Sequence, residues 1–135
     1  MTIDVEKFYI DASDRVIYDR LEKELPIKKI SKKDLFMFAL VTGYQSKIKI
    51  PVNKRLEFFW TNNLKPEDEI VIRSIVLDEK KNVEILQNTE ELVGIVQDYA
   101  HGGISILKEK LDQHGSYIKY IEKELEEKYK EQGWK

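Results

Sequence analysis

The chain has no cysteine, which excludes a disulfide scaffold, a thiolate nucleophile and a cysteine-based zinc site. Three prolines and six glycines are too few and too scattered to form a linker, and no internal repeat divides the sequence. The apolar runs fall far short of the roughly 18 residues of a membrane span, so no membrane partner is expected. The opening MTIDVEKFYI has neither a basic leader nor a hydrophobic secretion core, and a cytoplasmic location is expected. Only two histidines are present, His101 and His114, and no acidic pair flanks either at an evident metal-ligand spacing. No phosphate-binding glycine loop and no G-x-S-x-G nucleophile elbow occurs. The sequence therefore points to binding rather than catalysis, with no metal or cofactor.

What the chain does have is charge. Hydrophobic residues make up 41% of its 135 residues and charged ones 36%, the balance of amphipathic helices with heavily solvated outer faces. The expected fold is mainly α. A single compact helical domain, residues 1–112, carries a short N-terminal strand, and a charged C-terminal helix, 113–135, packs on it or projects.

Alternation from Val5 to Ile10 suggests a strand, with Phe8 and Ile10 on one side and Lys7 and Tyr9 on the other. Asp11 or Ser13 then caps a helix that buries Val16, Ile17, Leu21 and Leu25 and stops at Pro26. Ser31-Lys-Lys-Asp34 resembles a capping box and opens an apolar helix from Leu35 to Thr42, ended by Gly43. Leu35, Phe36, Ala39 and Leu40 should be the centre of the core. After a basic connection broken by Pro51, Pro66 with Glu67, Asp68 and Glu69 starts a third helix, burying Val71, Ile72, Ile75 and Val76. Asn82 to Leu86 reads as a turn. Asn88 or Thr89 caps a helix through Tyr99, closed by Gly102 and Gly103, and a last helical pattern follows, broken near Gly115.

The net charge of −2 hides an asymmetry: Lys28, Lys29, Lys32, Lys33, Lys47, Lys49, Lys54 and Arg55 face one acid, Asp34, between positions 28 and 55. That segment carries +7 and the rest of the chain −9. It is either a face for nucleic acid or an acidic protein, or a solvated turn balanced by acidic helices. Tyr44, Phe58, Phe59 and Trp60 crowd the basic connection, either to cover the helical core or to stack on single-stranded nucleic acid. Three consecutive rings cannot all point inward from a regular strand or helix. The strand and two capped helices up to Gly43 also fit a ribbon-helix-helix unit, a homodimer whose paired strands enter the major groove. Lys7 and Tyr9 would then face the groove, with Asp11 beside them fitting DNA poorly.

The run from Ser31 to Arg55, SKKDLFMFALVTGYQSKIKIPVNKR, and the run Asp98-Tyr-Ala-His-Gly-Gly-Ile104 resemble a known family. These are the small accessory proteins of bacterial and archaeal DNA phosphorothioation (Dnd) systems, specifically the fourth protein named for its association with them. Lys33, Asp34, Phe36, Phe38, Ala39, Gly43 and Tyr44 match its first motif, with Thr42 where leucine is usual. Pro51 and Val83-Glu-Ile-Leu86 follow in order, then Tyr99, Ala100, Gly102, Gly103 and Ile104, with His101 at a variable position. The resemblance runs from Ile30 to Leu111 and leaves out the residues before Lys28 and the charged tail after Asp112. It implies an accessory role beside the machinery that replaces a phosphate oxygen with sulfur, with DNA or Dnd modification or restriction proteins as partners. Rival readings are a ribbon-helix-helix transcriptional regulator and a non-enzymatic adaptor.

Overall fold

In the computed structural model, residues 3–25 and 30–131 are described. Strand β1 (Lys7–Asp11) leads through a 3-10 turn into helix α1 (Arg15–Glu24), and helix α2 (Lys32–Gln45) follows. Strand β2 (Arg55–Trp60), helix α3 (Pro66–Lys80), a 3-10 turn at Val83–Gln87, helix α4 (Thr89–His114) and helix α5 (Tyr117–Glu131) complete the chain. The expected mainly α architecture is what forms. Pro26, the expected helix stop, lies outside the described residues.

Caps set the helix starts. Ser31 Oγ accepts from Asp34 N at 3.1 Å, Asp11 Oδ1 from Ser13 N at 3.0 Å, and Asn88 Oδ1 from Glu91 N at 3.2 Å. Pro66 occupies the first turn of α3, where its missing N–H costs nothing, and Asp68 Oδ2 accepts from Lys65 N at 2.8 Å.

The core is the crossing of α2 and α4, and glycine makes it possible. Gly43 and Gly103 were expected to end helices, yet both lie inside them. A Cβ on Gly103 would stand 1.7 Å from Ala39 O, and one on Gly43 2.0 Å from Tyr99 O, so the two backbones touch directly. Gly102, the other expected stop, admits the backbone of Ile48 in the same way. Close approach, not chain reversal, is the reason for these glycines. The actual end of α4 is Gly115, left-handed at φ 77°. Leu35, Phe36, Ala39 and Leu40 are fully buried around this crossing, as expected.

Two face assignments differ from the sequence reading. Val16 is exposed and Tyr18 is buried in its place, because α1 begins only at Arg15 and turns the stripe of Tyr18 and Leu21 inward. Val71 lies at the edge of the exposed side of α3, about 100° round the helix from buried Ile72.

The N-terminal strand pairs antiparallel with β2 of its own chain, out of the basic connection. A ribbon-helix-helix dimer needs that pairing between two chains, so the topology departs from it. The other edge of β1 is also engaged: Tyr9 N donates to Gln97 Oε1 on α4 at 2.8 Å. Between Phe8↔Phe59 and Tyr9↔Glu57 the register slips, leaving Phe58 as the extra residue of a bulge. The bulge lets two consecutive rings turn inward, Phe58 against Tyr18 and Phe59 against Phe8 and Phe36. Trp60 turns outward and stays 48% exposed.

Candidate functional site

Among the described residues, the basic side chains do not gather into one cationic face. Lys47 and Lys49 follow α2 and reach the end of α3, where Lys47 Nζ lies 3.4 Å from Asp78 and Lys49 Nζ bonds Glu79. Tyr44 and Tyr99 donate their hydroxyls to the same two acids. Hydrogen bonds from Lys81, Tyr44 and Lys47 hold Asp78 well below the usual carboxylate range, and those from Lys49 and Tyr99 lower Glu79. Lys33 is buried, 2.8 Å from Asp34 and 2.7 Å from Asp68. Burial opposes its charge, but the two carboxylates outweigh that and raise its pKa.

Lys7, Tyr9 and Arg55 meet on the outer side of the ribbon. Lys7 Nζ is 2.9 Å from Glu57 and 4.4 Å from the centre of the Trp60 ring, and the Arg55 guanidinium lies 4.0 Å over Tyr9. Lys32 and Lys54 have no carboxylate at ion-pair distance among the described residues. Lys28 and Lys29 lie outside the described residues.

One cleft does combine cations with an open ring. The start of α2 (Ser31, Lys32, Lys33) faces Phe58, Trp60 and Lys65 across a cavity of about 660 Å³. Trp60 forms one wall, and the Lys32 ammonium lies 5.9 Å over the neighbouring Phe58 ring.

A second cluster was invisible in the sequence. His101 Nδ1 on α4 sits 2.6 Å from Asp14 Oδ2, with Asp11 Oδ2 3.8 Å from Nε2. Asp11, expected to point outward beside Lys7 and Tyr9, is buried because it accepts bonds from Ser13, from Asn53 N at 2.9 Å and from Lys54 N at 3.4 Å. It thus fastens the loop before β2 to the end of β1. These bonds overcome burial and hold Asp11 far below the ordinary carboxylate value. His101 and Asp14 are 87 positions apart, so no local motif announces the cluster. Among the described residues no group of three or more His, Asp or Glu side chains is placed to hold a metal ion.

Burial pushes Asp14 up to about 6 from an ordinary 3.8, against the pull of His101. A carboxyl whose folded pKa is raised stabilises the fold below its unfolded pKa, and that contribution is lost as pH rises through the folded value. Asp14→Asn removes it. The melting temperature of Asp14→Asn relative to wild type should therefore rise progressively between pH 4 and 6.5, a window bracketing these two values. A pH-independent difference in thermal melts would refute the assignment.

Fold and clefts together define a small, mainly helical protein with a two-stranded ribbon, a tightly ion-paired body and polar surface clefts. No helix among the described residues is long and apolar enough to cross a membrane. Residues 28–135 match the family model described as DNA sulphur modification system-associated protein 4, and the chain belongs to that family. The match takes in the charged tail, which the sequence resemblance left out. No curated protein and no solved structure matches the chain. The motif residues that carried the resemblance are architectural here: Ala39, Gly43 and Gly103 form the helix crossing, and Tyr44 and Tyr99 tie α3 to it.

Proposed function

We propose that this protein serves DNA sulphur modification as a non-catalytic accessory that contacts nucleic acid at the Trp60 cleft. The observation that carries the reading is the half-exposed Trp60 ring set in a cleft with Lys32 and Lys65. A base stacks on the ring while the ammonium groups neutralise the adjoining phosphates, the chemistry of sequence-tolerant binding to unpaired strands. Lys47 and Lys49 play no part, because Asp78 and Glu79 already neutralise them.

The test is a binding titration of short single-stranded and duplex DNA at low salt. It is followed by the fluorescence anisotropy of a dye-labelled strand, a readout that does not depend on Trp60. Trp60→Ala should cost about 1–3 kcal/mol of affinity. Lys32→Gln and Lys65→Gln should each lower the slope of log affinity against log salt by roughly 0.7 on a single strand. Lys47→Gln with Lys49→Gln should change neither. A folded protein that binds no nucleic acid at low salt, or binds equally without Trp60, would reject the reading.

A further inference from the structure

A second cleft shares no lining residue with the first. It is a groove of about 580 Å³ between β1, β2 and the first half of α4. Four carboxylates line it, Glu6, Glu57, Glu90 and Asp98, against two cations, Lys7 and Arg55. Both cations are engaged, Lys7 by Glu57 and Arg55 by the face of Tyr9. Glu6, Glu90 and Asp98 have no cation at ion-pair distance among the described residues. Bare phosphate would be repelled here.

Two further features say what the groove accepts. Gly94 lies inside α4 and lines it, yet a Cβ added there would meet nothing within 4 Å. Glycine weakens a helix interior, and the packing reason that explains Gly43, Gly102 and Gly103 is missing here. Open backbone at this point suits close approach by a chain from outside. Gln97, only 8% exposed, gives its side-chain oxygen to Tyr9 N, while its amide nitrogen makes no hydrogen bond to any described residue. It remains a donor for a carbonyl. The carboxylates are also too dispersed for one ion, since no three of them form a metal-holding group among the described residues. Separated negative charges, a carbonyl donor and a bare stretch of helix match an extended peptide bearing more than one cationic side chain.

We infer that this groove docks a basic, extended segment of a partner protein. Charge complementarity selects arginine- or lysine-bearing sequence, Gln97 receives its backbone, and Gly94 lets it lie close to α4. Such a site is independent of nucleic-acid binding at the Trp60 cleft, and each survives failure of the other.

Acetyl-Arg-Gly-Arg-amide, with acetyl-Glu-Gly-Glu-amide as the charge-reversed control, tests this when titrated to millimolar concentration into the isotope-labelled full chain. The arginine peptide should shift the backbone amide of Gly94 and the side-chain amide of Gln97, and the glutamate peptide should not. Glu6→Gln and Glu90→Gln should each weaken the response roughly 1.5- to 5-fold, the range for partly exposed charge pairs. Gly94→Leu, a good helix former entering open space, should abolish it with unchanged helical circular dichroism. No shift at Gly94 and Gln97, an equal response to the glutamate peptide, or undiminished affinity in the Glu6/Glu90 double variant would overturn the inference.

Discussion

Gly103→Ala is expected to lower the melting temperature sharply. The added methyl carbon would lie 1.7 Å from Ala39 O and 2.7 Å from Gly43 N, both backbone atoms held inside a helix. Relief requires α2 and α4 to move apart along the contact that organises the core. Overpacking usually costs about 1–3 kcal/mol, and a clash with backbone rather than with a pliable side chain belongs at or above the top of that range. Alanine's better helix propensity returns only about 1 kcal/mol. Gly94→Ala is the matched control, an α4 glycine with nothing within 4 Å of its added carbon. It should stabilise the protein by about 0.5–1 kcal/mol. Thermal melts of the two variants should move in opposite directions. A Gly103→Ala protein melting with wild type would mean that α2 and α4 do not cross at these residues.

The same glycines show where sequence reading stops. A glycine after an apolar helical run is equally a stop signal or a point of backbone contact, and only the partner helix decides between them. Helix starts were legible because a cap acts within three residues: Ser31, Pro66 and Asn88 do what their local sequence implies. Charge was less legible. The +7 of positions 28–55 is a local sum, but Lys47 and Lys49 are answered by acids about thirty positions later, and Lys33 by Asp68. The strand partner stayed hidden for another reason. A bulge at Phe58 breaks the alternation of β2, so its period-two pattern is lost just where it pairs. The expected exposure of one ring in Phe58-Phe59-Trp60 follows from simple geometry, and it is Trp60 that turns out.

Phe36→Ala tests how the ribbon is fastened to the helices. Phe36 is fully buried on α2, 5.6 Å from the ring of Phe8 on β1 and 5.2 Å from that of Phe59 on β2. Phe8 and Phe59 stack on each other at 5.0 Å, so the three rings form one aromatic group linking two strands to the central helix. A two-stranded ribbon has little stability by itself and depends on the face it buries. Truncation of a buried phenylalanine costs about 3–5 kcal/mol, through lost transfer free energy and the cavity left behind. For a chain of this size that corresponds to a fall in melting temperature of roughly 10–20 °C. The loss should also be uneven. Amide exchange should quicken first in β1 and β2, while the α2–α4 contact at Gly43 and Gly103 keeps its protection longer. Both clefts use ribbon residues, so peptide and nucleic-acid binding should weaken together even where the helices persist. An unchanged melting temperature would show that Phe36 does not hold the ribbon, and that the pairing of β1 with β2 alone positions Trp60 and the groove.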